Sequence, residues 1–170
     1  WDTHQVVTTR SMFAGASRFD CDLPWNTSSL ENADFMFHGA TFFNGALATW
    51  NTSKLVSMKG IFAQAKSFNQ PLSHWDTSRV TNMESLFEGA QSFNADTSPW
   101  QMSNVTSAAR MFTEATKFNI DISSWDMSSV RDFNTIFGSA TEFNQPIGDW
   151  NTSNAANVSR AFLAAKSFNQ

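Results

Sequence analysis

Along this chain apolar and polar positions recur at a fixed interval. Seven tryptophans, Trp1, Trp25, Trp50, Trp75, Trp100, Trp125 and Trp150, stand 24 residues apart at the first step and 25 at every later one. Self-similarity at such a period marks a stacked repeat. Counting from each tryptophan, position +12 is always phenylalanine: Phe13, Phe37, Phe62, Phe87, Phe112, Phe137 and Phe162. Position +18 is a second phenylalanine column: Phe19, Phe43, Phe68, Phe93, Phe118, Phe143 and Phe168. An asparagine follows at once (Asn44, Asn69, Asn94, Asn119, Asn144, Asn169), with Asp20 in the first repeat. Alanine holds position +15, and an aliphatic site precedes each new tryptophan at Leu23, Leu47, Leu72, Ile122 and Ile147, with Thr97 as the exception.

The pattern inside one repeat predicts a helix. In Trp75–Pro99, Val80, Met83, Leu86, Phe87 and Ala90 are separated by 3, 3, 1 and 3 residues, an apolar stripe at helical spacing. Asp76, Thr77 and Ser78 stand before the stripe as candidate N-caps. A turn at the Phe-Asn pair and a short extended piece at the aliphatic site complete the unit, with Pro71 and Pro146 at the start of that piece. A unit of this size cannot bury its own aromatics, so repeats must stack. The expected fold is an α/β solenoid, leucine-rich-repeat-like, with seven coils of one helix and one short strand across residues 1–170. Each column then becomes a ladder: Trp on Trp, Phe on Phe, Asn on Asn. Strands stack at about 4.8 Å and helices at about 8–10 Å, which predicts a curved array with helices outside. The asparagine ladder is expected inside its turn, bonding the backbone of its own and the next coil.

The run Phe68-Asn69-Gln70, Trp75-Asp76-Thr77-Ser78, Val80, Asn82-Met83, Phe87 and Ala90 resembles the short-repeat family of bacterial surface proteins and mycoplasma lipoproteins, a domain of unknown function also abundant in some microalgae. The resemblance spans the whole chain, in six full copies and one shortened. It implies a leucine-rich-repeat-like solenoid at the cell surface or secreted, and brings no catalytic residues. Met102 and Met127 depart from it where threonine is usual, and Thr97 where an aliphatic is.

Composition narrows the function further. The 170 residues are 41% hydrophobic but only 15% charged, well below the usual quarter. Ser, Thr and Asn, at 22, 16 and 15, carry the polar surface instead, which suits an extracellular life. A net charge of -4 speaks against nucleic-acid binding. No apolar run approaches the ~18 residues of a membrane helix, and no charged-then-apolar signal segment opens the chain. The first residue is not Met, so a mature product or an excised fragment is expected. A single cysteine, Cys21, excludes an internal disulfide framework.

Candidate chemistry is sparse. His4, His38 and His74 fall in three registers, so stacking cannot gather them into a metal or catalytic site. Asp96 and Asp121 share a register, which could bring them together for calcium, although solvated turn residues explain them as well. No phosphate loop, zinc-protease helix or nucleophile elbow is present. No catalytic residue, metal or cofactor is therefore expected. Exposed tryptophans could stack on sugars, but a residue placed identically in every repeat is better read as core. The threonine column (Thr3, Thr27, Thr52, Thr77, Thr152) invites an ice-binding reading, which Met102 and Met127 interrupt. Five glycosylation sequons stand at Asn26, Asn51, Asn104, Asn151 and Asn157.

Neither terminal repeat carries a polar cap, so head-to-tail stacking between copies, or further repeats, is expected. The expected function is a non-enzymatic extracellular structural or adhesive repeat protein, as a filament subunit or a segment of a longer surface array. Its partners would be itself or other surface proteins. The alternative is a glycan-binding module using one lateral face.

Overall fold

A computed structural model describes all of residues 1–170. The chain winds into seven coils, each opening at a tryptophan and each lying on the next at the 24- or 25-residue repeat. Regular secondary structure is nearly absent. Six parallel bridges link one residue per coil, from Thr8 through Asn32, Ser57, Asn82, Ser107 and Asp132 to Asn157. None of the 80 backbone–backbone hydrogen bonds spans the four residues of a helical turn.

The predicted helix is thus corrected, and with it the α/β solenoid of helix-and-strand coils and the curvature argued from helix spacing. The stripe Val80, Met83, Leu86, Phe87 and Ala90 is fully buried, as an inward face must be. What buries it is a chain of tight turns. Leu86 N–H bonds Met83 C=O at 3.2 Å, Glu88 bonds Ser85 at 3.1 Å, and Ala90 bonds Phe87 at 3.0 Å. The amides between them point out of the coil. Met83, Ser85, Phe87 and Gly89 donate to Ser107, Ala109, Met111 and Thr113 of the next coil at 2.7–3.0 Å. Steps of three residues per turn give nearly the same spacing as a helical face. The sequence stripe could not separate the two.

Backbone handedness explains the difference. Every residue of positive φ in the chain falls at position +10 or +14, two per coil in all seven coils. In the fourth coil these are Ser85 (φ 56) and Gly89 (φ 70), each the third residue of a turn closed by an i→i+3 bond. That placement is the mark of type II turns. A left-handed residue cannot continue an α-helix. It swings alternate amides sideways, where the neighbouring coil offers carbonyls.

The expected strand at the aliphatic site is also a turn. Trp75 N–H returns to Leu72 C=O at 3.0 Å, and the same closure recurs at Trp50, Trp100, Trp125 and Trp150. Likewise Asp76 is no helix cap: its carboxylate oxygen accepts the Ser78 N–H at 2.9 Å, an Asx turn.

Inside, the aromatic columns form ladders. The two phenylalanines of one coil stack at 3.7–4.1 Å between centroids, as in Phe87–Phe93 and Phe162–Phe168. Position +12 rings follow coil to coil at 5.6–5.7 Å, as in Phe62–Phe87 and Phe112–Phe137. Phe37, Phe43, Phe62, Phe68, Phe87, Phe93, Phe112, Phe118, Phe137 and Phe143 are fully buried. Trp50, Trp75, Trp100 and Trp125 are buried, whereas Trp25 and Trp150 are half-buried and Trp1 is 90% exposed.

Truncating a mid-array ring removes partners above, below and beside it. Phe87→Ala or Phe112→Ala is expected to cost about 3–5 kcal/mol, from lost transfer energy and the cavity left behind. Denaturant unfolding checks this, and a loss below 1 kcal/mol, on the order of an exposed substitution, would place the ring outside the core.

Candidate functional site

Side chains of the constant columns spend their polar atoms on the neighbouring coil. Thr77 Oγ1 accepts the Gln101 N–H at 2.8 Å and donates to the Gln101 C=O at 3.1 Å. Thr27 makes the same double contact with Asn51 at 2.7 and 3.0 Å. Thr3, Thr27, Thr52 and Thr77 are buried, so these members of the column are coil-to-coil staples and not a face for ice, while Thr152 of the last coil is exposed. Where it is interrupted, Met102 and Met127 are buried and fill the space with apolar atoms. Trp50, Trp100, Trp125 and Trp150 donate their indole N–H to the carbonyls of Leu23, Leu72, Thr97 and Ile122, each just ahead of the preceding coil's tryptophan. The Trp75 indole N–H alone among the buried tryptophans has no partner.

The asparagine ladder differs from its expected placement in two respects: its side chains bond the next coil's backbone but not their own, and most of them are exposed. Asn44, Asn69, Asn94 and Asn119 lie exposed, not inside the turn. Each Oδ1 accepts the backbone N–H of the next coil's asparagine: Asn69 from Asn94 at 2.8 Å, Asn94 from Asn119 and Asn119 from Asn144 at 2.9 Å. The ladder starts at Asp20, which accepts from Asn44 at 2.8 Å, and ends at Asn169 on Asn144. A neutral hydrogen bond of this kind contributes about 0.5–1.5 kcal/mol net.

Other columns change from coil to coil, and four of them adjoin the left-handed turns. Position +9 reads Arg10, Asp34, Lys59, Glu84, Ala109, Asn134, Ser159, and position +10 reads Ser11, Phe35, Gly60, Ser85, Arg110, Thr135, Arg160. Positions +13 and +14 change as freely. These four columns flank the left-handed turns and form one lateral strip. On it Lys59 pairs with Glu84 at 2.7 Å, and Arg10 reaches Asp34 at 3.9 Å. Arg10 and Lys59 both lie about 6 Å from the Phe35 ring centre, at 5.9 and 6.0 Å. A groove of about 240 Å³ opens there, lined by Phe35, His38, Lys59, Gln64, Glu84, Ser85, Glu88 and Arg110 among others.

One family model matches this chain, over residues 1–97 and again over 70–170: the family described as Mycoplasma protein of unknown function, DUF285. The chain belongs to that family. No curated protein and no solved structure matches it. Two overlapping matches to DUF285 are what an uninterrupted repeat produces, since the family pattern fits in more than one register.

Beyond the DUF285 pattern, the remaining sequence candidates stay apart. No group of three or more His, Cys, Asp or Glu side chains stands within metal-binding reach. His4 bonds Asp2 at 2.6 Å, and Cys21 is exposed. Asp96 and Asp121 each bind within their own coil, accepting the N–H of Ser98 and Ser123 at 2.9 and 3.0 Å. The sequon residues Asn26, Asn51, Asn104 and Asn151 are exposed and Asn157 half-buried. Asn26, Asn51, Asn151 and Asn157 hold their own +2 serine by an Asx turn, and Asn104 instead donates to the Ser78 carbonyl at 2.7 Å. Sequence reasoning missed the strip and its groove. The signal was present in the columns that fail to repeat.

The Asx turns give a pH dependence. Hydrogen bonds from the hydroxyl and N–H of Ser78 hold the Asp76 carboxyl below its ordinary 3.8, Ser123 does so for Asp121 through its N–H first, and Ser128 for Asp126. A carboxyl depressed in the folded state stabilises above its unfolded value and loses that contribution as pH falls through the folded one. Stability should therefore decline below about pH 4. In the triple variant Asp76→Asn, Asp121→Asn, Asp126→Asn, which removes the ionised carboxylates, melting at neutral pH is expected to fall toward the parent's acid value and the acid decline to be shallower, read by thermal melts from pH 7 to about pH 2.

Proposed function

We propose that this protein is a non-enzymatic structural or adhesive repeat of the cell surface or extracellular space, a solenoid that presents a variable lateral strip. The supporting observation is the division between columns. Residues that recur in every coil are consumed by the core and by coil-to-coil bonds, whereas many outer columns change, and four of these, +9, +10, +13 and +14, lie side by side along the left-handed turns. A scaffold that holds its backbone constant while varying one solvent-facing strip is built for recognition. Low charge and abundant Ser, Thr and Asn suit an extracellular setting, and a Mycoplasma-type repeat family is consistent with a surface context.

Adhesion can be read directly. Surfaces coated with the protein should retain cells or extracellular-matrix proteins from a panel. The variant Arg10→Ala, Lys59→Ala, Arg110→Ala, Arg160→Ala, spread over the strip, should lose most of that retention while melting as the parent does. Retention no better than an uncoated surface, across the panel, overturns the adhesive reading.

A specific observation favours self-stacking as a second reading. Between the last two coils, Phe133, Ile136 and Ile147 of the sixth and Trp150, Val158 and Phe162 of the seventh line an open apolar hollow of about 330 Å³. Val158 is 60% exposed and Leu163 55%. Its surface is that of every internal coil junction, so the occupant it fits is another coil of this repeat, from further repeats of the same chain or from a second copy. Sedimentation over a concentration series should reveal growing species, and Val158→Glu should abolish them. A monomer at all concentrations overturns filament formation by this chain.

A further inference from the structure

The strip carries one built depression, and its chemistry is specific enough to name a ligand class. We propose that the groove over the second to fifth coils is a binding site for a neutral saccharide residue; this rests on the recognition reading above and deepens it.

Glycine makes the groove. A Cβ at Gly60 would stand 2.5 Å from the Phe35 ring, and one at Gly89 would stand 2.3 Å from the Gln64 amide. Both glycines have left-handed φ, +59° and +70°. Phe35 therefore lies down over the third coil and Gln64 over the fourth, each occupying space that a side chain would otherwise fill. The result is a phenyl wall and an amide laid along the surface, with His38 edge-on to the ring at 6.1 Å and 86°.

Charge selects the ligand. Lys59 and Glu84 neutralise each other at 2.7 Å. Arg110 and Glu88 supply one further charge of each sign, so the groove is formally neutral and favours neither an anion nor a cation. What it offers is hydrogen-bonding capacity of both kinds: the Gln64 amide donates and accepts, Glu88 accepts, and Arg110 donates in a fork. These are planar groups able to bond adjacent hydroxyls in pairs. A sugar ring presents hydroxyls that both donate and accept, together with an apolar C–H face for the phenyl wall. At about 240 Å³ the groove lies below the volume usual for drug-sized ligands, and suits one ring of a chain running across the strip.

The test uses the isotope-labelled 170-residue protein and four neutral probes, the methyl glycosides of glucose, galactose, mannose and N-acetylglucosamine, with N-acetylneuraminic acid as the charged comparison. At least one neutral glycoside should shift the Gln64 side-chain amide resonances in a saturable way. Gln64→Ala and Arg110→Ala should each weaken that binding about tenfold or more, the loss of one to two hydrogen bonds. Glu142→Ala, exposed and outside the groove, should not. Near-unchanged melting of the variants separates lost binding from lost folding. No saturable shift with any neutral glycoside, or stronger binding of N-acetylneuraminic acid, overturns the site. Cell or matrix retention that persists in Gln64→Ala and Arg110→Ala likewise overturns it while leaving the adhesive reading standing, whereas loss of retention by the strip-wide variant alone bears only on that broader reading.

Discussion

Everything in this molecule depends on where the alternate backbone amides go. In the first six coils the N–H groups at +10, +12 and +14, and in all but the second of these the one at +8, leave the coil and find carbonyls on the next one, as Ala108, Arg110, Phe112 and Glu114 do with Asp132, Asn134, Ile136 and Gly138 at 2.7–3.0 Å. Amides at +6 reach back to the preceding coil, as Thr106 does to Thr81 at 2.8 Å, while others close turns at home. A helix would satisfy both sets internally and leave the coils joined by side chains alone. Left-handed residues at two fixed positions forbid that and commit the backbone to lateral bonding. Buried amides left unpaired would be costly, so each coil is complete only against a neighbour. The pitch set by those bonds in turn sets the stacking of the rings and the reach of the Asn and Thr staples.

That commitment carries a conformational cost that the sequence does little to reduce. Of the left-handed positions, glycine occupies only Gly15, Gly39, Gly60 and Gly89. Phe35, Arg110 and even the β-branched Thr135 sit at φ 54–58, where a side chain costs about 1–2 kcal/mol. Four lateral bonds per coil junction and a continuous aromatic interior offset the strain. The strain also explains why the period is so strictly kept: a one-residue slip would move a buried aliphatic of position +11, β-branched at Ile61 and Ile136, into a position that must be left-handed.

The repeat, its ladders and its inward face were legible in the sequence because they depend on which residues recur. The helix was misread because inward positions near every third residue suit a run of three-residue turns as well as a helix. Residues such as Ser85 and Arg110 give no outward sign of positive φ; had glycine filled those columns, the turns could have been recognised. The Asx turns at Asp76 and Asn51 use the same residues that cap helices, so they reinforced the wrong element. The Asn column was placed correctly against the next coil's backbone but on the wrong side of the turn, since a bond to a backbone amide does not itself require burial.

Legibility runs opposite for the candidate site. Core positions announce themselves by repeating, whereas the groove arises from two departures, a phenylalanine at position +10 of the second coil and a glutamine at +14 of the third. Each is accommodated by a glycine in the following coil at the same register: Gly60 under Phe35, Gly89 under Gln64. The two changes form matched pairs one repeat apart. A large side chain at a left-handed position can thus be seated over a glycine of the next coil, as Phe35 and Gln64 are, and such large-then-glycine steps in a column mark depressions before any coordinates exist; Arg110, followed at the same register by Thr135, projects without one.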